Sequence, residues 1–301
     1  MYDIIMKDYQ RRKTRRQKDA FIELMQGRYP GLKVEKNGLM GSRNLVFGDP
    51  ESADIVFTAH YDTVAASLFP NLVTPDRPYF RFLNMLLVIS PMIIAMLLAG
   101  AVAGYMGAAD DVRKAVMLGV YFLMFFATFI GGVPNPNTAN DNTSGVLTLC
   151  RMMDTFTDGQ RSRAAFIFFD NEEYGCVGSG AYYKAHKAAM QDKLVVNMDC
   201  VGDGDTIMLV VSKKALPIYE EKLRRAFRVA GGFSIRLESA KKVSYSSDQK
   251  HFPISVAAVA MNRSKLLGLH VGRIHTKRDT VCAPENINYL AECSAELMRN
   301  I

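Results

Sequence analysis

The chain has 301 residues, of which 49% are hydrophobic and 22% are charged. This composition excludes an intrinsically disordered chain and allows a large buried core, and the length predicts one domain or two. The net charge is +7, so both nucleic acid and an anionic membrane surface are partners to consider. The five cysteines are widely spaced and form no CxxC pattern, which argues against a disulfide framework and against a thiolate zinc site.

The N-terminal segment carries much of the positive charge. Seven basic residues fall within one short window that we expect to be helical: Lys7, Arg11, Arg12, Lys13, Arg15, Arg16 and Lys18. Because no nucleic-acid module accompanies them, we expect no nucleic-acid partner and favour an anionic membrane leaflet, with a solvated helix face as the alternative. The first 30 residues contain no apolar stretch, so we expect no secretory signal peptide and a cytosolic N-terminus.

Two strands are predicted next, at 44–47 and 54–59, and two long uncharged stretches follow them. These stretches cover residues 82–109 and 115–140 and are separated by the short polar turn GAADDVRK. Each is long enough to cross a bilayer, which takes about 20 apolar residues at a rise of 1.5 Å. The sequence therefore predicts an inserted hairpin of two transmembrane helices over residues 82–133.

The basic residues Arg77 and Arg81 precede the first span and predict its orientation. By the positive-inside rule, residues 1–81 and 134–301, which would form the catalytic domain, face the cytosol, and the hairpin tip faces outward. The alternative is a pair of buried helices, or an apolar dimerisation arm, in a soluble protein. A homo-oligomer formed through the hairpin is also compatible with the sequence.

Outside the hairpin, short apolar runs alternate with amphipathic helical patterns. Further strands are predicted at 164–169, 194–198, 206–211 and 256–261, and helices at 144–156, 179–190, 217–230 and 285–298. The alternation predicts an α/β fold, with a mixed, largely parallel sheet covered by helices on both faces. In such folds the functional groups lie at the carboxyl ends of the strands.

Charged and imidazole side chains occur where several of these strands end. The candidates are His60 and Asp62 after 54–59, Asp170, Glu172 and Glu173 after 164–169, Asp199 after 194–198, Asp141 in NTANDNTSG and His275 in IHTKRDT. Taken singly, each fits an ordinary role such as a helix cap, a solvated pair or a surface histidine. Together they indicate a metal, because buried carboxylates are costly unless a cation neutralises them. Two histidines and three carboxylates without cysteine suit catalytic zinc.

Six motifs occur in the order of a known family: HYDT, NDNTSG, FFDNEEYGCVGS, NMDCVGD, SDQKHF and IHTKRDT. On these motifs the sequence resembles the co-catalytic di-zinc exopeptidases that include bacterial leucyl aminopeptidase, aminopeptidase Y and glutamate carboxypeptidase. The match covers nearly the whole chain apart from the hairpin and the basic N-terminus.

The resemblance implies that two Zn²⁺ ions are held by His60, Asp141, Glu173, Asp199 and His275, with Asp141 shared between them. Glu172 then corresponds to the general base, and Asp62 to the group that orients His60. The implied activity is hydrolysis of a terminal peptide bond by a water molecule that the two ions hold, and an aminopeptidase is favoured. The peptide bond between Asp141 and Asn142 is expected to be cis, as in relatives.

The sequence departs from the family in two ways. Asp141 lies 79 positions after Asp62, and the hairpin fills most of this interval, whereas relatives join these residues by a short loop. Gln249 stands where many relatives have a histidine, which leaves the substrate pocket open, although Tyr245 and Asp248 are candidate members of it. Two alternatives are a glutaminyl cyclase-like acyltransferase with one zinc ion and a non-catalytic, receptor-like protein, and the complete set of five ligands argues against both.

Overall fold

The computed structural model describes residues 1–67, 69–228 and 231–301, and nine strands in these residues form a single sheet. The strands are β1 (Lys33–Asn37), β2 (Ser42–Phe47), β3 (Ile55–His60), β4 (Ala164–Phe169), β5 (Leu194–Met198), β6 (Thr206–Val211), β7 (Ser234–Ser239), β8 (Ser255–Ser264) and β9 (Gly268–His270). The helices are α1 (Tyr2–Asp8), α2 (Arg15–Arg28), α3 (Pro78–Tyr105), α4 (Asp110–Phe125), α5 (Ser144–Thr155), α6 (Asp158–Arg161), α7 (Val177–Ala185), α8 (Lys187–Met190), α9 (Leu216–Ala226) and α10 (Pro284–Asn300).

The sheet is mixed, with parallel strands at its centre. Its order is β1, β2, β4, β3, β5, β8, β6 and β7, and β9 pairs with β8. The neighbours β4, β3, β5 and β8 are parallel, whereas β2 and β6 join this group in antiparallel fashion. The carboxyl ends of β3, β4 and β5 therefore lie side by side at one edge.

The central strands are mostly apolar and fully buried because both faces of the sheet are covered. Every residue of β3, β4, β5 and β6 is buried. Successive side chains point to opposite faces of a strand. On β3, Phe57 packs in the larger core, which includes residues of α2, α5 and α10, whereas Val56 packs in a smaller core with Tyr182 of α7 and Met190 of α8. The prediction of an α/β fold with helices on both faces is confirmed.

Most predicted elements lie where the sequence indicated, with differences at the edges of the sheet. The bounds of β4, β5 and β6 agree with the prediction, whereas β1, β7 and β9 were not predicted. The helix expected over 179–190 is divided into α7 and α8 at His186. The last two residues of the helix expected over 217–230 lie outside the described residues, and α9 ends at Ala226.

The expectation of a single helix over the N-terminal basic window is wrong. α1 ends at Asp8, and α2 begins at Arg15 after the N-cap Thr14, whose side chain accepts a hydrogen bond from the backbone N–H of Gln17. Arg12, in the connection between the helices, is fully buried, and Lys18 is buried against Asp170, to which it donates a hydrogen bond. Because both side chains are buried, they do not contribute to a basic surface.

The insertion folds as two packed helices. α3 has a mean hydropathy of 2.5 over its most apolar stretch, and only 11% of that stretch is buried. Gly100 and Ala103 of α3 are buried, and Gly100 lies so close to Met117 of α4 that an added Cβ would be 2.6 Å from its sulfur atom. Among the described residues, α3 is the one helix long and apolar enough to cross a membrane, whereas α4 has 16 residues and continues into a π-helical turn, Phe126–Ile130.

Both ends of the insertion leave the sheet domain together. Ala65 and Pro134 form an isolated antiparallel bridge. Ala66 donates its backbone N–H to the carbonyl of Val133 at 2.9 Å, and Asn135 donates to the carbonyl of Val64 at 3.1 Å. We call these paired segments, 64–66 and 133–135, the stem. The stem fixes the start and the end of the hairpin beside each other.

Candidate metal centre

The parallel strands bring the predicted candidates to one edge of the sheet. His60 is the last residue of β3, and Asp199 follows β5 directly. Glu172 and Glu173 lie in the loop after β4, which is the neighbour of β3 on its other side. Asp141 and His275 come from loops, so five chain segments converge on this point.

Two groups of side chains each offer three ligand atoms. In the first, Nε2 of His60 lies 3.3 Å from Oδ1 of Asp141 and 3.6 Å from Oδ1 of Asp199. In the second, Nε2 of His275 lies 3.2 Å from Oδ2 of Asp141 and 3.4 Å from Oε2 of Glu173. Asp141 belongs to both groups, with one carboxylate oxygen facing each. We call the two groups together the metal centre.

These separations suit ligands of a common ion better than hydrogen-bonded pairs. Charge-assisted N–H···O bonds are about 2.7–2.9 Å long, whereas two ligands about 2.0–2.1 Å from a tetrahedral ion lie about 3.4 Å apart. Within the described part of the chain, Oε1 of Glu173 and Oδ1 of Asp199 are buried without a hydrogen-bond partner. A cation would satisfy both atoms, so the residues present fit a metal.

Asp62 connects two of the converging segments. Its carboxylate accepts the backbone N–H groups of Glu172 and Glu173 at 2.9 and 3.2 Å. One of its oxygens lies 3.6 Å from Nδ1 of His60, and its own carbonyl lies 3.1 Å from the same nitrogen. Asp62 therefore holds the β4 loop and the imidazole of His60 in one arrangement, as groups behind metal-ligating histidines commonly do.

The loop of Asp141 is held by a residue to which the sequence assigned no role. The carboxylate of Asp279 accepts the backbone N–H groups of Asn140 and Asp141 at 2.8 and 3.0 Å. The peptide bond between Asp141 and Asn142 is cis, as the resemblance implied. Asp279 lies within the motif IHTKRDT, four positions after His275, so its place in that motif was the available signal.

The side chain of Arg12 forms hydrogen bonds to the chain segments that carry His60 and Asp141. Its guanidinium donates to the carbonyls of Tyr61 and Tyr9, each at 2.5 Å, and to the hydroxyl of Thr143 at 3.0 Å. Its backbone N–H donates to Thr63 at 2.9 Å. Burial lowers its pKa to about 10, while the negative charges of Asp62 and Asp141 oppose this shift. Arg12 thus remains charged at neutral pH and links the end of β3 to the loop of Asp141.

The surplus of buried negative charge changes the pKa values of the ionisable groups. Burial raises the pKa of Glu172 to about 7, and nearby carboxylates such as Asp199 add to this shift, although His60 opposes it. Burial also raises the pKa of Glu173 well above its usual range, although His275 opposes the shift. For His275, burial alone would lower the pKa, but Glu173 and Asp141 raise it to about 9. A cation would offset this excess of negative charge.

Tyr245 and Asp248, the candidates for a substrate pocket, differ in their hydrogen bonding. The hydroxyl of Tyr245 donates to the backbone carbonyl of Asp199 at 3.2 Å. Asp248 is fully buried, and neither of its carboxylate oxygens has a hydrogen-bond partner among the described residues. Gln249 accepts from Asn197 at 3.1 Å and donates to the carbonyl of Tyr245 at 3.1 Å, so it ties the Tyr245 segment to β5.

A cavity of about 240 Å³ opens onto the metal centre, and we call it the polar cavity. All five candidate ligands, Glu172 and Tyr245 contribute to its lining, whereas Asp248 is not part of the described lining. Arg81 and Lys250 also line it, although no motif predicted them there. The polar cavity can therefore hold a small polar group against the metal ligands.

One family of known proteins matches the sequence. The sequence model for Peptidase family M28 matches residues 123–297, which includes every predicted ligand except His60. No curated protein sequence matches the chain at a significant level.

Solved structures with a similar fold have low sequence identity to this chain. LapB of Legionella pneumophila is 15% identical, with 99% of this chain and 69% of LapB covered and a TM-score of 0.53. Glutaminyl cyclase of Porphyromonas gingivalis is 15% identical, with 97% and 93% covered and a TM-score of 0.52. BSAP, a zinc aminopeptidase of Bacillus subtilis, is 17% identical, with 86% and 49% covered and a TM-score of 0.49, so the chain spans about half its length. At these identities the likeness concerns the fold alone.

Proposed function

The chain belongs to peptidase family M28, and from this premise we propose that it is a membrane-anchored zinc exopeptidase that removes a terminal residue from peptides, as an aminopeptidase. The observation that carries the proposal is the pair of three-ligand groups that share Asp141. Each group has the nitrogen and oxygen donors that catalytic zinc prefers. Shared carboxylates of this kind suit two ions rather than one.

The residues that would hold the ions follow from the two groups. His60 and Asp199 would complete one site and Glu173 and His275 the other, with Asp141 common to both. When bound, such ions lower the pKa of a water molecule and polarise the carbonyl of the scissile bond.

The protein's own residues would supply the proton transfer and the alignment. Glu172 belongs to neither ligand group, lines the polar cavity and has a pKa raised to about 7. A base with a pKa near the working pH is the most effective, so Glu172 would accept a proton from water and deliver it to the leaving amine nitrogen. Asp62 would hold the backbone of Glu172 in place, because its carboxylate accepts the N–H groups of Glu172 and Glu173. Asp279 would do the same for Asp141, because it accepts the N–H groups of Asn140 and Asp141.

The hairpin would anchor the enzyme in a bilayer as an inserted segment over residues 82–133. α3 is 28 residues long with little of its apolar surface buried, which favours a lipid environment. α4 and the following turn, together 21 residues from 110 to 130, would return the chain. Residues 1–81 and 134–301 would then form a cytosolic catalytic domain, since Arg77 and Arg81 flank the first span. The five cysteines, all free and buried, suit a reducing compartment.

Metal analysis combined with peptide cleavage tests the proposal. The purified chain should contain about two zinc ions and should shorten peptides in a mixed pool from one end only, as read by mass spectrometry. A protein with one zinc ion that cyclises N-terminal glutamine would instead be a glutaminyl cyclase-like acyltransferase. A protein with no metal and no turnover would be a receptor-like member of the fold. Either result would refute the proposed activity.

A further inference from the structure

A second, larger cavity lies next to the metal centre. It has a volume of about 580 Å³, and its lining residues come from the loop after β3, the start of α3 and Thr128 beyond α4. Most of this lining is apolar and includes Val64, Phe69, Pro70, Phe82, Met85 and Val88. We call it the apolar cavity. Its size falls within the range of roughly 300–1,000 Å³ that is typical of ligand sites.

One face of α3 forms a wall of the apolar cavity. The α3 residues in the lining are Pro78, Arg81, Phe82, Asn84, Met85, Val88 and Ile89. Their spacing of three or four positions is that of a single helix face. The membrane-proximal turns of the hairpin are therefore part of the cavity and do not merely lie near it.

The apolar and polar cavities meet at the metal centre. Four residues line both of them: Asn71, Arg81, Glu173 and His275. Every ionisable residue in the described lining of the apolar cavity is one of these four. Charge is thus confined to the end that faces the metal ligands. The remainder of the lining is uncharged and mainly apolar, with Ser67, Asn84 and Thr128 as its polar residues.

The walls are tied to the loop that carries His275. Ser67 donates its backbone N–H to the carbonyl of His275 at 2.7 Å, and Asn71 donates to that of Ile274 at 3.2 Å. The side chain of Asn84 in α3 donates to the carbonyl of Pro70 at 2.9 Å. A candidate metal ligand, the loop after β3 and α3 are therefore held in a fixed relation.

We propose that the apolar cavity binds the bulky apolar side chain of the residue at the scissile bond, so that the enzyme selects peptides with a large apolar terminal residue. This inference rests on the proposed peptidase function. Glu173 and His275 line both cavities, so a side chain in the apolar cavity would place the peptide bond of its own residue beside the metal ligands. A lipid chain has no such bond to present. Apolar burial supplies the binding energy in such a pocket.

The inference is tested with the full chain in detergent micelles and two peptides that differ only in the terminal residue removed, Phe or Ala. The wild type should prefer the Phe peptide by at least about tenfold in kcat/KM, since even one methylene group can give that discrimination. Val88→Trp, which fills the cavity, should lower this preference by about tenfold, because kcat/KM for the Phe peptide should fall more than kcat/KM for the Ala peptide. Met85→Ala, which removes apolar wall without adding bulk, should lower it by several-fold.

Val102→Trp is the matched control, because Val102 is 58% exposed on the same helix and does not belong to the described lining. It should keep the wild-type preference. An equal kcat/KM for both peptides in the wild type would overturn the inference. An unchanged preference in both Val88→Trp and Met85→Ala would overturn it as well. If the metal-loaded wild type cleaves neither peptide, nor any peptide of a mixed pool, the proposed function itself fails.

Discussion

Replacing Arg12 with Ala should destabilise the protein strongly, although Arg12 lies outside the metal centre. The substitution removes three hydrogen bonds, to the carbonyls of Tyr61 and Tyr9 and to the hydroxyl of Thr143. It also leaves the charge of Asp62 and Asp141 without the cation behind them. Arg12 has no exposed surface, so water cannot replace the lost contacts without opening the structure.

The expected loss in free energy of unfolding is about 3–5 kcal/mol, the usual cost of removing one partner from a buried ionic network. For a domain of this size, about 1 kcal/mol lowers the melting temperature by roughly 2–4 °C, so a decrease of about 6–20 °C is expected. Thermal unfolding followed by circular dichroism measures it. The variant should also hold zinc more weakly, because Arg12 joins the segment of His60 to the loop of Asp141.

Two further variants make this test specific. Arg16→Ala changes an exposed residue of the same basic window and should alter stability by no more than about 0.5 kcal/mol. Arg12→Lys keeps the charge, but one ammonium group cannot reach three acceptors in different directions, so an intermediate effect is expected. If Arg12→Ala melts within about 2 °C of the wild type, the structural role given to this side chain is wrong.

Three other predictions concern the site and the membrane. Glu172→Gln should reduce turnover at least about 100-fold while the zinc content stays near that of the wild type, since a base is lost but no ligand; substantial residual activity would exclude Glu172 as the base. Asp141→Ala should lose metal and activity together, and retention of two tightly bound ions, measured by elemental analysis, would contradict the shared carboxylate. A cysteine introduced at Ala109 should react with an impermeant thiol reagent in intact cells and one at Gly159 should not, and the opposite labelling would invert the proposed topology.

The parts of the fold that the sequence predicted best are those where both faces of an element are buried. The strands at 164–169, 194–198 and 206–211 are mostly apolar and fully buried, and they have the bounds that were expected. The strands β1 and β7 lie at the two ends of the sheet and are half exposed, with sequences KVEKN and SIRLES. A polar edge strand has no apolar run to mark it, and its partner is distant in sequence, so local patterns could not indicate it.

The site shows the same difference between local and distant information. His60, Asp199 and the Glu172–Glu173 pair could be placed because each follows a recognisable buried strand. The role of Arg12 could not be predicted, since the N-terminal window holds seven basic residues and nothing in it shows which side chain is buried. That choice depends on the carbonyls of Tyr9 and Tyr61 and on Thr143, the last of which is 131 positions away.

The apolar cavity was not predictable from the sequence either. Hydropathy alone indicates that α3 is apolar, but it does not show which of its faces turns toward the protein. That information comes from Asn84, whose hydrogen bond to Pro70 fixes the rotation of the helix against the loop after β3.

The stem also has an evolutionary consequence. Ala65 and Pro134 are paired, so the two points at which the hairpin joins the sheet domain are adjacent. If the residues between them were removed, a short turn could close the gap. Such a position tolerates the gain or loss of an entire segment without a change in the order of the strands. Under the proposed function, a single insertion would convert a free enzyme into an anchored one, and later sequence change in α3 would adjust which peptides are accepted.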